Sequence, residues 1–167
     1  ELQLHRHALY GTQAGDVIVV DARGSLSSGV FGNMMLTYFV GAGGIGAVID
    51  GCIRDFPEAP ENLGLWMKGV TPNFHTQTTQ FPYAVNVPID CSGTYVAPGD
   101  IIIADDDGAV VVPIHLAEEL AELGEVHAEW EEFSRQKLEA GGDLRLYYPL
   151  SDEARPEYEE WKKANNK

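Results

Sequence analysis

Apolar positions along this chain fall into short blocks separated by glycines and polar turns. Val17-Ile18-Val19-Val20 lies between a Gly15 turn and an Arg23-Gly24-Ser25 loop, and the block predicts a buried strand over 16–21. Ser27-Ser28-Gly29 can open a helix, and 30–40 is apolar nearly all round, so that helix is expected to be buried. Gly41, Gly43 and Gly44 end it, as glycine does at helix C-termini. Residues 45–50 read as a second buried strand. Strand, helix and strand in about 35 residues make a right-handed βαβ unit with parallel strands.

The remainder is more broken. A short helical or irregular stretch with Pro57, Pro60 and Trp66 leads to a small strand over 68–71. Residues 72–82 are polar and read as a loop. Residues 83–90 alternate in part, and Pro88 favours an edge strand there. Pro98-Gly99 is a turn. Two β-branched runs, 101–104 and 109–112, flank Asp105-Asp106-Asp107-Gly108 and predict a hairpin. Leu116, Leu120, Leu123, Val126, Trp130 and Phe133 recur at spacings of three and four, predicting a long amphipathic helix over 113–140. Gly141-Gly142 stops it, and 156–165 reads as a short C-terminal helix.

Composition narrows the class. The chain has 167 residues, 44% of them hydrophobic and 22% charged, as in an ordinary globular domain. Its formal charge is −15, which argues against a nucleic-acid surface because phosphates need clustered cations. Ten acids and no Lys or Arg lie between Asp105 and Glu132. No apolar run approaches the ~18 residues of a membrane span. Cys52 and Cys91 are expected as reduced thiols, which fits a cytoplasmic protein.

The densest candidate chemistry is Gly32-Asn33-Met34-Met35, then twenty residues from Asn33, then Arg54-Asp55. Arg54-Asp55 lies just past a predicted parallel strand, where ligands gather in α/β sheets. Gly32-Asn33 falls near a helix start, whose free N–H groups favour an anion. Arg54 offers a planar fork for a carboxylate, and Asp55 offers hard oxygen for a divalent cation. The alternative is a plain Arg–Asp pair in a surface turn. Other features are weaker. The Asp105–Asp107 run lacks the ligand spacing of a calcium loop. His5, His7, His75, His115 and His127 show no zinc-type spacing. His115 reads as structural, and His75 is a candidate for lining a pocket. Cys52, two residues from Arg54, is expected to have a lowered pKa but has no evident partner base. Gly41 to Gly46 follows a helix and precedes a strand, the reverse of a dinucleotide fingerprint.

In order, residues 15–21, 32–35, 47–55, 96–100 and 105–113 together resemble the RraA-like family, which includes 4-hydroxy-4-methyl-2-oxoglutarate aldolase. The likeness runs from about residue 10 to about residue 150. It implies an α/β fold, an α/β/β/α sandwich of the swivelling-domain type. It implies an RraA-like domain over 1–150, with its N-terminal part expected to be missing from this sequence, and a helical tail over 151–167. It also implies trimers or hexamers with sites between subunits, and a divalent metal, Mg2+ or Mn2+. By the same resemblance Arg54 binds the pyruvyl group and Asp55 anchors the metal. Gly32, Met34 and Met35 turn backbone amides toward the substrate carboxylate.

One position departs from the family pattern: an acid is expected at 33, and Asn33 stands there. An amide cannot take a proton at neutral pH. The expected activity is a metal-dependent carbon–carbon lyase acting on a 2-oxo acid, by pyruvate-releasing retro-aldol cleavage, oxaloacetate decarboxylation or both. The alternatives are a protein-binding regulator of a ribonuclease, as in another branch of the family, and a catalytically silent member.

Overall fold

A computed structural model describes residues 3–74 and 80–165. The chain divides into two compact units, Glu1–Ile114 and His115–Lys167. It is 38% helical and 29% strand, an α/β protein as expected.

The first unit opens with α1 (Leu4–Tyr10), then β1 (Val17–Gly29), α2 (Asn33–Gly41) and β2 (Gly46–Ile53). A 3-10 turn over Phe56–Glu58 leads to β3 (Gly64–Val70). The three strands form one sheet in the order β1-β2-β3, with both pairings parallel. Val17 sits opposite Gly46 and Asp21 opposite Asp50, so the βαβ reading holds. One face of this sheet carries Ala47 and Ile49. They join Leu9, Phe31, Leu36, Phe39, Ile53 and Leu63 in the core, with Ile18 and Val20 packed against it. The apolar character of α2 follows from its place over that face.

Two expectations near the site change. The first strand does not stop at Asp21 but continues to Gly29, and no helix starts at Ser27. Register slips between Asp21 and Ser25 and again between Ser25 and Gly29 let it carry Arg23 and Gly24 in left-handed geometry. Such bulges hide a strand inside what reads as a turn. The third strand is also longer than expected, beginning at Gly64.

The segment before Ile89 is not the predicted strand. Only β4 (Ile89–Cys91) forms, paired antiparallel with β5 (Thr94–Val96). Ser92 and Gly93 both have positive φ at that turn, and Asp90 Oδ1 accepts from the Gly93 amide at 2.6 Å. The predicted hairpin is present as β6 (Ile101–Asp105) and β7 (Gly108–Val112).

A 3-10 turn over Ile114–Leu116, starting on the last residue of the first unit, begins the expected long helix, and in the second unit α3 spans Ala117–Glu139. Gly141 ends it with φ +88°. Then come α4 (Leu144–Tyr147) and α5 (Arg155–Asn165). Only the C-terminal part of the predicted apolar stripe is packed. Phe133 is fully buried among Tyr147, Tyr158 and Trp161, whereas Leu120, Leu123 and Val126 are exposed. The periodicity located the helix but not which turns of it are covered.

No helix among the described residues is long and apolar enough to cross a membrane.

Candidate active site

The site is set by where β2 ends. Phe31 O accepts from the Arg54 amide, and Cys52 O accepts from the Val30 amide, so the chain after β1 and the chain after β2 run side by side. This brings Gly32 at the N-cap of α2 against Arg54 and Asp55. A β-carbon on Gly32 would stand 2.6 Å from Asp55 Oδ2 and 2.7 Å from Arg54 Nη2, so any side chain there would displace the ends of that pair.

Arg54 is held from two sides. Its Nη1 donates to Gly29 O at 3.2 Å, and its guanidinium lies over the Phe74 ring at 4.7 Å from the centroid. Its side chain is 17% exposed. Asp55 follows in left-handed geometry, with φ 58° and ψ 34°. A non-glycine residue held there is strained, and such strain gathers at functional positions. The twist turns the half-exposed carboxylate back toward Arg54, with Oδ2 3.6 Å from Nε. The pair is therefore a fixed cation beside an open carboxylate.

Asn33 opens α2, and both ends of its amide are engaged. Oδ1 accepts from the Met34 amide at 2.7 Å, and Nδ2 donates to Glu58 Oε2 at 2.9 Å. The Met35 amide donates to Gly32 O at 3.1 Å. An incoming carboxylate reaching the Met34 amide must displace the Asn33 oxygen. The Met34 side chain is largely exposed. Glu58 is the site residue that sequence reasoning missed. The signal was Pro57: proline early in a turn tightens the chain, and the 3-10 turn returns Glu58 toward the start of α2.

Among the described residues no three His, Cys, Asp or Glu side chains converge into a metal cage. Magnesium and manganese do not require one. Mg2+ keeps several waters and takes one or two carboxylates plus substrate oxygens. The half-exposed Asp55 carboxylate, with no side chain on Gly32 to crowd it, fits that mode.

The other candidates lie elsewhere. Cys52 is buried in β2, and burial pushes its thiol up rather than down, so the expected lowering by Arg54 is corrected. Both cysteines are free. His127 meets Glu131 at 3.1 Å on the surface of α3, and His115 is exposed. His75 lies outside the described residues. A cavity of about 920 Å3 between α1, β1 and residues 80–100 contains none of Asn33, Arg54 or Asp55.

The sequence profile of the RraA-like family (Aldolase/RraA) matches residues 1–111. A Halalkalibacterium halodurans protein, provisionally named a 4-hydroxy-4-methyl-2-oxoglutarate aldolase, is 36% identical over 107 residues. That match covers 64% of this chain and 50% of that protein. The 4-hydroxy-4-methyl-2-oxoglutarate aldolase of Thermus thermophilus is 32% identical over 111 residues, 66% of each chain. Among solved structures, Streptomyces coelicolor RraAS2 is described as an unusual member of the RNase ES inhibitor RraA protein family. It superposes with a TM-score of 0.77 at 44% identity, covering 80% of this chain and 68% of its own. The chain thus spans from half to about two thirds of the length of these proteins.

Proposed function

This chain belongs to the RraA-like family, and from that premise we propose that it is a divalent-metal-dependent lyase acting on a small 2-oxo acid. The reaction is retro-aldol release of pyruvate, decarboxylation of oxaloacetate, or both, in the cytoplasm. The observation that carries this reading is the Arg54–Asp55 pair, held at the end of β2 against a glycine that leaves room for a ligand.

In this reading each residue has a separate task. Arg54 neutralises the substrate carboxylate. Its contacts with Gly29 and Phe74 orient the guanidinium before substrate arrives, so little freedom is lost on binding. Asp55 presents the oxygen that holds the ion. Bound there, Mg2+ or Mn2+ supplies Lewis-acid stabilisation of charge developing on the keto oxygen. Gly32 keeps the space between them open. The Met34 amide, once released by Asn33, turns a helix-terminal N–H to the substrate carboxylate. Asn33 can orient a water or hydroxyl but cannot accept its proton. Decarboxylation of oxaloacetate needs no hydroxyl proton removed, so it suffers less from this residue than aldol cleavage does. We further propose that the chain assembles as a trimer or hexamer and that a second copy closes the open side of the site.

A second reading has its own support. RraAS2, at 44% identity, is described within a family of RNase ES inhibitors, and Asn33 departs from the lyase pattern. In that reading the chain regulates a ribonuclease by binding it. Turnover of oxaloacetate and of 4-hydroxy-4-methyl-2-oxoglutarate with Mg2+ or Mn2+, measured for the protein and for Arg54→Ala, separates the two. The lyase reading expects turnover that Arg54→Ala abolishes; no turnover of either acid supports the regulator.

A further inference from the structure

Glu58 places a carboxylate directly against Asn33, the position where the family pattern expects an acid. Its Oε2 accepts from Asn33 Nδ2 at 2.9 Å, so the side chain in the acid's place points its donor at a second carboxylate. The 3-10 turn after Asp55 sets this up, with the Glu58 amide donating to Asp55 O at 3.1 Å. The two residues are matched in sign. An aspartate at 33 would set like charges against each other, whereas an amide donates and fixes Glu58 in place. Glu58 is exposed, so an ordinary surface glutamate would gain little from this bond.

We propose that Glu58 supplies the proton-accepting carboxylate of this site, with Asn33 as the residue that positions it. The proposal rests on the lyase reading above. In retro-aldol cleavage the C4 hydroxyl proton passes to a Glu58 oxygen. The O–H pair becomes the carbonyl bond of the leaving fragment. The C3–C4 pair becomes the C2–C3 double bond of the pyruvate enolate. Glu58 then returns the proton to C3, giving pyruvate and leaving the carboxylate as it began. Atoms and charge balance without an added reactant.

The test compares the full chain with Glu58→Gln, Asn33→Asp and the double variant. Three quantities are read: 4-hydroxy-4-methyl-2-oxoglutarate cleavage with Mg2+, Mn2+ affinity by electron paramagnetic resonance, and the Glu58 carboxyl carbon resonance when oxalate and Mg2+ are added. Cleavage falls by about 100-fold or more in Glu58→Gln, the usual scale for a lost general base. Mn2+ affinity stays within about threefold, because the ion is held by Asp55. The Glu58 resonance moves when oxalate binds. Asn33→Asp restores cleavage to Glu58→Gln. Wild-type cleavage in Glu58→Gln, an unmoved resonance, or no rescue in the double variant overturns the proposal. An inert parent chain with an active Asn33→Asp also overturns it, since Asn33 would then stand uncompensated. If both are inert, the lyase reading itself falls and takes this one with it.

Discussion

Gly32 passes so close to Asp55 that a β-carbon on it would come within 2.6 Å of the carboxylate. The backbone at Gly32 is extended, with φ −116° and ψ 175°, so alanine is conformationally acceptable there. The cost of Gly32→Ala is therefore borne by the Arg54–Asp55 pair and not by the fold. We expect 2-oxo-acid turnover to drop by about 100-fold, the scale of an ångström-level misplacement, with the melting temperature nearly unchanged. Steady-state kinetics beside a thermal melt checks this.

Arg54→Lys keeps the charge and loses the fork. Lysine cannot reproduce the bond to Gly29 O together with the stack on Phe74 and a paired grip on a carboxylate. Turnover is expected to be lost nearly as fully as in Arg54→Ala. Arg54→Ala also destabilises the first unit by about 1–2 kcal/mol, through the hydrogen bond and the cation–π contact. Urea unfolding of both variants reads this out, and a loss above about 4 kcal/mol would show that the arginine is chiefly structural.

Asp50 is a buried carboxylate in the middle of β2, and its surroundings predict an acid limb of stability. Burial pushes its pKa up, but the Lys68 ammonium, the Ser92 hydroxyl and the Gly24 amide outweigh that and hold it below the usual carboxylate value. A carboxyl lowered by folding stabilises the protein above its unfolded value, about 3.9, and loses that contribution as pH falls through the folded value. Asp50→Asn should cost about 2 kcal/mol at pH 7, and that cost should shrink as pH falls below about 3.9. Denaturant melts at several pH values measure the difference; an equal cost at both ends would contradict it.

Along α3 two apolar residues of one stripe should respond oppositely. Phe133 is fully buried, so Phe133→Ala is expected to destabilise the second unit by about 3–5 kcal/mol. Leu123 is 57% exposed, and Leu123→Ala should change the stability of the single chain by no more than about 0.5 kcal/mol. Denaturant unfolding under monomeric conditions decides it.

The place of the Arg54–Asp55 pair in the fold was legible in the sequence. The apolar run at 17–20 and the glycines after Val40 located the βαβ unit, because a buried parallel sheet needs continuous hydrophobic strands. That unit in turn put Arg54 and Asp55 at a strand end. The extension of β1 past Asp21 was not legible. Arg23-Gly24-Ser25 reads as a loop and Ser27-Ser28-Gly29 as a helix start, and only pairing with Gly51 and Cys52 shows that the strand continues. The β4–β5 hairpin was missed for a similar reason: its strands have three residues each, too short for a period. The Asn33–Glu58 bond spans 25 positions: Pro57 marks the turn that carries Glu58, but nothing local says which residue it meets. The exposed half of the α3 stripe shows the same limit, since periodicity reports amphipathicity and not what covers it.

On the lyase reading, Arg54 and Asp55 together hold an ion and a 2-oxo acid. Calorimetric titration with oxalate, a stable mimic of the pyruvate enolate, tests it most directly. Measurable binding is expected with Mg2+ present, at least about tenfold weaker without it, and lost in both Arg54→Ala and Asp55→Asn. Oxalate binding that ignores Mg2+ and survives Asp55→Asn, or no binding by the parent chain at saturating Mg2+, would contradict it.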